Sequence, residues 1–267
     1  MLSTHGSLLD YKKYQQPSNY FPYKLYDGLT FKTSAKRATA VVVSSQMEYE
    51  EALEFGIHKN KLHIIPDGIE TSGPMVNRFS RQGAPLNLLF AGPMTRFRRI
   101  ELLLRAARKL TLPFRITLVA TSNIVQTRGS TEYLTELKKL VKTLGIEDRV
   151  DFLGNPSPED MKNCYANADL FINPSAHETS GKILLEAGAS GLPMISTPVG
   201  LANEVVTSGE NGFIVPADPD MICDRILQLS NPDTRKKFGH HIREKVLNTF
   251  GWHTVMERYM ELYGSLK

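Results

Sequence analysis

The clearest indication of chemistry in this sequence is a pair of glutamates eight positions apart, Glu178 and Glu186. Gly181 lies between them and allows a ligand to approach the backbone closely. Apolar runs on both sides predict a strand over residues 169–173, a loop, a helix over 181–190 and another strand. Free N–H groups at a helix start attract anions, and carboxylates accept hydrogen bonds from sugar hydroxyls. The segment therefore indicates a phosphate and sugar site; the alternative is an ordinary strand–helix–strand unit with solvated glutamates.

A cluster of cations follows an earlier apolar strand, over residues 87–91, and forms a second candidate site. Arg96, Arg98 and Arg99 come at the start of a helix predicted over residues 99–110. Three cations at a helix start are unfavourable unless an anion is bound, because the helix dipole is positive at that end. We interpret the cluster as a phosphate-binding site; the alternative is a solvated first turn.

The elements that would position these residues alternate between strand and helix from about residue 86 onward. Further apolar runs predict strands over residues 114–120, 150–153, 194–197 and 212–215. Apolar residues at helical spacing predict helices over residues 131–144, 158–166, 202–207, 218–247 with breaks, and 252–262. Strands that alternate with helices favour a doubly wound parallel sheet, so the predicted fold class is α/β with one Rossmann-like domain.

The first 85 residues hold too few elements for a second such domain. They show strands over residues 40–44 and 61–65 and a helix over 46–55, closed by Gly56. A strand–helix–strand unit takes about thirty residues or more, so a complete nucleotide-type sheet does not fit here. We therefore predict a partial N-terminal α/β segment beside the Rossmann-like domain.

The carboxylate segment resembles the signature of the retaining family-4 glycosyltransferases, which have the GT-B fold. The matching positions are Pro174-Ser175, Glu178, Glu186-Ala187, Gly191-Leu192-Pro193, Gly200, Glu204 and Asn211-Gly212. Three motifs near the start of the chain are also similar to the family: His5-Gly6-Ser7-Leu8, Ser45 to Glu48, and Ile65 to Glu70. The resemblance implies that the Rossmann-like domain is the C-terminal half of a GT-B fold.

The resemblance also divides the chain into parts. It implies a remnant of the N-terminal, acceptor-side domain over residues 1–70, a linker over 71–85 and a nucleotide-sugar donor domain over 86–250. A C-terminal helix over 251–267 would return to the N-terminal segment. The family's N-terminal glycine-rich donor loop has no counterpart, so we expect a fragment or one half of a split enzyme. An uncovered apolar surface at the strand over 40–44 and on the helix over 252–263 would then favour self-association or a partner chain.

The resemblance implies three catalytic residues. Glu178 would hold hydroxyls of the donor sugar, and His5 would face the donor sugar or the acceptor from the other domain. Arg98 would neutralise the donor diphosphate; it replaces the family's Lys, and guanidinium binds phosphate bidentately. Two neighbours depart from the family pattern, since Pro93 replaces an Arg and Arg99 replaces a Gly. The change at Pro93 removes one of the two cations that the family places on the diphosphate.

Donor binding is implied for several further positions. Glu186 would accept ribose hydroxyls, backbone N–H groups of residues 181–183 would cradle phosphate, and Arg96 would supply a second cation. Loops after the second and third strands of the domain would flank the nucleotide. The complete donor-binding set is Glu186, Gly181, Lys182, Ile183, Gly92, Arg96, Thr121, Gly154 and Asn155.

Composition fits a soluble globular protein of 267 residues with a net charge of +4. Cys164 and Cys223 lie in helical patterns without metal-ligand spacing, which predicts reduced thiols in a cytoplasmic protein. The sequence shows neither a signal peptide nor an apolar run that spans a membrane. Basic residues within 1–40 and 96–109 favour peripheral contact with the anionic inner membrane face; the alternative is solvated helix faces. No nucleic-acid-binding motif is present, so we expect no nucleic acid partner.

These features predict a hexosyltransferase-type enzyme of polysaccharide or glycolipid biosynthesis. It would move a sugar, with retention, from a nucleotide-diphosphate sugar to a hydroxyl of a glycan, a lipid or a small molecule. The resemblance implies neither metal nor cofactor, because Arg side chains and helix N-termini supply the positive charge. Two alternatives stand beside it: a nucleotide-sugar epimerase of the same architecture, and a non-catalytic nucleotide-sugar-binding subunit of a split enzyme.

Overall fold

A small parallel sheet stands at the start of the computed structural model, which describes residues 1–3, 32–70, 84–121, 128–178 and 181–266. Within these ranges the sheet has three strands in the order β1-β2-β3. They are β1 (Leu2–Ser3), β2 (Val41–Val43) and β3 (Leu62–Ile64). Helix α1 (Lys32–Arg37) precedes β2, and helix α2 (Gln46–Phe55) joins β2 to β3.

A larger parallel sheet follows, and in the described part of the chain its six strands run in the order β6-β5-β4-β7-β8-β9. Its strands are β4 (Leu86–Gly92), β5 (Phe114–Ala120), β6 (Val150–Gly154), β7 (Leu170–Asn173), β8 (Met194–Ser196) and β9 (Gly212–Ile214). The helices of this part are α3 (Ile100–Arg108), α4 (Arg128–Thr143), α5 (Pro158–Asn167), α6 (Lys182–Ala189), α7 (Ala202–Val205), α8 (Pro219–Gln228), α9 (Pro232–Phe250) and α10 (Trp252–Ser265). The predicted α/β fold class is confirmed, with small shifts at the ends of the elements.

The strand order of the large sheet reverses between β4 and β7. From β4 the chain moves outward through β5 to β6, and β7 then pairs with the other side of β4. The parallel register pairs Leu88 with Leu170 and Leu89 with Phe171. In sheets of this kind, ligands bind outside the carboxyl ends of the strands at the point of reversal. The loops after β4 and β7 are therefore the first place to look for a site.

Apolar side chains fill both faces of the large sheet. Leu88 packs in a cluster that includes Leu104 of α3, whereas Leu89 packs in a cluster that includes Leu185 of α6. Both strand residues are 1% exposed. Burial on both faces explains why the strands β4, β7 and β8 read as continuous apolar runs rather than as alternating patterns.

Helix α10 packs against the small sheet. Ala40 and Val42 form one apolar cluster with Val255 and Leu262 of α10. The other face of β2 packs against α2. The expectation of an uncovered surface along residues 40–44 is therefore wrong, because helices cover both faces of this strand. The expectation holds for the C-terminal helix, because exposed apolar side chains lie on one face of α10: Trp252, Met256, Met260 and Tyr263.

Hydrogen bonds also join the small sheet to the later part of the chain. The N–H of Gln46, the first residue of α2, donates to Glu204 Oε1 at 2.9 Å. A carboxylate at this end of a helix complements the helix dipole. The N–H of Ile69 donates to the Phe250 carbonyl at 2.8 Å, and Ile69 in turn accepts from Trp252 N–H at 3.3 Å. These contacts fix the approach of α2 and α10 to the large sheet.

Arg99 has a strained backbone between a 3-10 turn, Arg96–Arg98, and α3. Its φ of 48° and ψ of 39° lie in the left-handed region, which costs a residue with a side chain about 1–2 kcal/mol. We expect Arg99→Gly to raise the free energy of unfolding by about 0.5–1 kcal/mol, after allowing for the greater entropy of glycine in the unfolded chain. Urea denaturation measures the change.

The matched control is Arg105→Gly, because Arg105 is exposed inside the regular helix α3. That variant should lower the free energy of unfolding by about 1 kcal/mol. If both variants destabilised the protein equally, the backbone at position 99 would not be strained.

Candidate functional site

Arg98 and Glu178 meet at the point where the strand order reverses. Arg98 ends the 3-10 turn after β4, and Glu178 lies in the loop after β7, the neighbouring strand. The guanidinium forks onto the carboxylate: Nη1 donates to Oε2, and Nη2 donates to Oε1 at 3.3 Å. The two side chains are only 11% and 8% exposed. The chain therefore buries a bidentate ion pair at the edge where ligands of this fold class bind.

Hydrogen bonds fasten the loop after β7 on both sides. The N–H of Ala176 donates to the Phe97 carbonyl at 2.6 Å, which ties the loop to the turn before α3. The Thr197 hydroxyl donates to the Ser175 carbonyl at 2.5 Å, and the Ser175 hydroxyl donates to Asn173 Oδ1 at 2.6 Å. The polar side chains of this network are buried. Sequence reasoning missed Asn173 and Thr197 as supporting residues; their positions at the ends of β7 and β8 are the available signal.

Two glycines permit close packing in the part of the chain around α6. Gly200 has a φ of 53°, and a Cβ there would lie 3.0 Å from both Cβ and Cγ of Glu178. Gly181, with a φ of 69°, precedes α6, and a Cβ there would lie 3.3 Å from the backbone N of Leu201. Other residues rarely adopt these backbone angles. Glycine at position 200 is therefore required for Glu178 to lie where it does, and glycine at position 181 for the close approach of the start of α6 to Leu201.

The start of α6 belongs to the same edge of the sheet, because the helix follows the loop after β7. Gly181 has no side chain with which to cap the helix. Lys182 is exposed and Ile183 is half-buried, and the N–H groups of a first helical turn have no acceptor within the helix. This helix start can therefore hold an anion beside the ion pair.

Glu186 lies one turn into α6 and is half-buried. Its Oε2 accepts a hydrogen bond from the hydroxyl of Tyr165 in α5 at 2.9 Å. Burial, followed by the charge of Glu186, raises the pKa of Tyr165 well above its usual value, so the hydroxyl stays a donor. Sequence reasoning did not identify Tyr165, because the contact joins residues 21 positions apart on different helices.

The carboxyl ends of β4, β5 and β6 bring further predicted positions side by side. The N–H of Thr121 donates to the Gly92 carbonyl at 3.3 Å, and the N–H of Asn155 donates to the Ala120 carbonyl at 3.1 Å. Asn155 has a φ of 45°, which asparagine tolerates better than most residues. Gly154 and Thr121 are exposed. These predicted residues therefore share the sheet edge that carries Arg98.

Arg96 makes its contacts away from this cluster. Its guanidinium donates to Glu136 of α4 at 2.6 Å and lies 5.8 Å from the centroid of the Tyr133 ring. The side chain is 64% exposed. The structure therefore gives Arg96 a surface partner rather than a place beside Arg98. His5 lies outside the described residues.

An open cavity of about 490 Å³ lies elsewhere, between α5 and the face of β4–β6. Among the predicted site residues, Gly154 contributes to its lining, which also includes Thr117, Asp160 and Cys164. The cavity carries neither the ion pair nor the start of α6. This cavity is an alternative binding position to the sheet edge that carries Arg98 and Glu178.

Neither a metal-binding cluster nor a membrane-spanning helix occurs in the described ranges. They contain no group of three or more His, Cys, Asp or Glu residues arranged to hold a metal ion. Cys164 and Cys223 are free thiols. No described helix combines the length and apolar character needed to cross a membrane.

The fold and the site define a class of protein: a doubly wound α/β domain with a buried arginine and a helix start at its point of strand reversal, the position where nucleotide-binding folds hold their ligands. Residues 77–245 match the family described as glycosyl transferases group 1, and the chain belongs to that family. The family resemblance found in the sequence is thus confirmed. The α/β architecture of the chain is that of the GT-B glycosyltransferases.

A D-inositol 3-phosphate glycosyltransferase of Corynebacterium urealyticum is 27% identical to the chain over 246 residues. The alignment covers 86% of this chain and 57% of that protein. The chain therefore spans somewhat more than half the length of this relative.

Solved structures give the same picture of the fold. Sucrose-phosphate synthase from Thermosynechococcus elongatus superposes with a TM-score of 0.81 at 25% identity, covering 99% of this chain and 67% of that one. Anabaena HepE in complex with UDP-glucose superposes with a TM-score of 0.76 at 21% identity, covering 87% of this chain and 66% of that one. The second likeness concerns the fold alone.

Proposed function

We propose that this chain binds a nucleotide-diphosphate sugar at the carboxyl edge of the large sheet, as the donor side of a sugar-transferring enzyme. The observation that carries the proposal is the buried pair of Arg98 and Glu178 at the point of strand reversal, beside the start of α6. A cation for a diphosphate, a carboxylate for sugar hydroxyls and a helix start for phosphate oxygens lie together there.

Arg98 has donors left for a diphosphate. A guanidinium carries five N–H donors, and Glu178 accepts from two of its nitrogens. The Nε atom is buried without a hydrogen-bond partner among the described residues. A buried donor without a partner is costly. A phosphate oxygen would satisfy it and neutralise the charge that develops on the leaving group.

The remaining roles follow the positions of the carboxylates. Glu178 would hold hydroxyls of the donor sugar while it keeps Arg98 oriented. Glu186 would accept the ribose hydroxyls, and backbone N–H groups of residues 181–183 would bind phosphate oxygens. The loops at Thr121 and at 154–155 would flank the nucleotide. His5 would face the donor sugar or the acceptor.

The proposed reaction retains the configuration of the transferred sugar. The bond between the anomeric carbon and the diphosphate oxygen breaks, and the acceptor oxygen forms a bond to that carbon on the same face. The acceptor proton passes to the leaving diphosphate. We propose no metal in this step, because Arg98 and the start of α6 supply the positive charge.

We also propose a class of acceptor and a location for the protein. The acceptor would carry a hydroxyl on a glycan, a lipid or a small molecule. Arg105 and Arg108 are exposed on α3 and would support peripheral contact with an anionic membrane surface. A second copy or a partner chain would complete the acceptor side.

The test is incubation with a panel of donors, including UDP-glucose and GDP-mannose, with and without hydroxyl acceptors. Release of the nucleotide together with a new glycoside, unchanged by EDTA, is the expected result. Conversion of the donor without any acceptor would favour the epimerase alternative. Donor binding without turnover, together with a stable partner complex, would favour the non-catalytic subunit. Absence of donor binding would contradict the proposal.

A further inference from the structure

Helix α5 and its packing against α6 hold Tyr165 in place. The helix begins with a capping box, in which the Ser157 hydroxyl accepts from Asp160 N–H at 3.1 Å and Asp160 Oδ2 accepts from Ser157 N–H at 3.1 Å. The Tyr165 ring is 5% exposed in the apolar cluster that contains Leu184 and Leu185 of α6. A ring packed in this way has little rotational freedom, so its hydroxyl points to a fixed place.

The Tyr165 hydroxyl makes a hydrogen bond with the Glu186 carboxylate. It donates to Oε2, whereas Oε1 makes no hydrogen bond with any described residue. A carboxylate offers about four lone-pair sites, so one fixed donor leaves room for a ligand with two hydroxyls. Because Oε2 is fixed by the tyrosine, the plane of the carboxylate is fixed as well.

We infer that Tyr165 is a positioning residue, which orients the Glu186 carboxylate so that the site selects a ribose carrying both of its hydroxyls. The inference rests on the proposed function, in which Glu186 binds the ribose. An oriented carboxylate accepts from the 2′- and 3′-hydroxyls together with little loss of rotational freedom. A carboxylate that rotates freely binds a single hydroxyl nearly as well, and the preference for ribose over deoxyribose falls.

The test compares the dissociation constants of UDP and 2′-deoxy-UDP, and of GDP and 2′-deoxy-GDP, for the whole chain by calorimetry. The wild type should bind at least one ribonucleotide more tightly than its deoxy analogue. Tyr165→Phe keeps the ring and removes the hydroxyl. We expect it to weaken ribonucleotide binding about five- to tenfold, because the carboxylate is no longer preorganised. The dissociation constants of each ribonucleotide and its deoxy analogue should then be nearly equal.

The matched control is Tyr133→Phe. Tyr133 is also a buried tyrosine whose hydroxyl donates to a glutamate, Glu101, on a different helix. Its variant also leaves the Ile100 N–H without its acceptor, so its thermal stability should fall at least as much, while the ribo-to-deoxy ratio of its dissociation constants stays unchanged. Glu186→Ala combined with Tyr165→Phe should bind like Glu186→Ala alone, because the tyrosine acts through that carboxylate.

The outcomes separate the inference from the proposed function. A wild type that binds none of these nucleotides would overturn both. A wild type that prefers the ribonucleotide, with Tyr165→Phe keeping the same preference, would overturn the inference and leave the proposed function standing. If Tyr165→Phe did not fold, a ribo-to-deoxy ratio in Glu186→Ala equal to that of the wild type would overturn the inference.

Discussion

Replacing Arg98 with alanine should lower the free energy of unfolding by about 3–5 kcal/mol, because the Glu178 carboxylate would stay buried without the guanidinium. The two side chains are 11% and 8% exposed, so water cannot fully replace the lost partner. The same variant should lose affinity for nucleoside diphosphates more than for nucleosides. Urea denaturation and calorimetric titration measure the two effects.

The control is Arg96→Ala, which removes a nearby arginine that also has a carboxylate partner. Arg96 and Glu136 form an exposed pair, and such pairs contribute little to stability. Its unfolding midpoint should stay close to that of the wild type. The double variant Arg98→Met, Glu178→Leu removes both charges and should recover much of the stability. Equal losses in Arg98→Ala and Arg96→Ala would show that the ion pair is not buried.

Replacing Glu186 with alanine should weaken the binding of nucleoside diphosphates by about 1.5–3 kcal/mol, the usual effect of losing hydrogen bonds to a charged group. This corresponds to roughly a 10- to 150-fold rise in the dissociation constant. Calorimetry with UDP and GDP gives the measurement. Glu159→Ala is the control, since Glu159 is an exposed helix glutamate in α5 that lies outside the proposed site. A folded Glu186→Ala protein with unchanged affinity would exclude the ribose role of this residue.

The sequence predicts most of the large sheet because its signals are local. Apolar runs and turn residues define each strand and helix, and their alternation determines the parallel arrangement. The family pattern has a glycine at position 99, and Arg99 adopts the left-handed backbone that glycine favours. Local pattern was sufficient wherever a residue's environment depends on its neighbours in the chain.

The arrangement of the site residues could not be predicted from local sequence patterns. Arg98 and Glu178 are 80 positions apart, and their pairing depends on the strand order that places β7 beside β4. Spacing alone left Arg96 and Arg98 equivalent, yet one is buried and the other pairs with Glu136 on the surface. The strand over residues 40–44 is covered by α10, the C-terminal helix that the family resemblance returns to the N-terminal segment; no local pattern indicates this contact.

A nucleoside diphosphate should bind where Arg98, Glu186 and the start of α6 come together. A crystal structure of the chain with UDP or GDP tests this prediction most directly. We expect phosphate oxygens at the first turn of α6 and at Arg98 Nε, and ribose hydroxyls within hydrogen-bond distance of Glu186. A nucleotide bound instead in the cavity between α5 and β4–β6, with the Arg98 and Glu186 side chains free of it, would contradict the account.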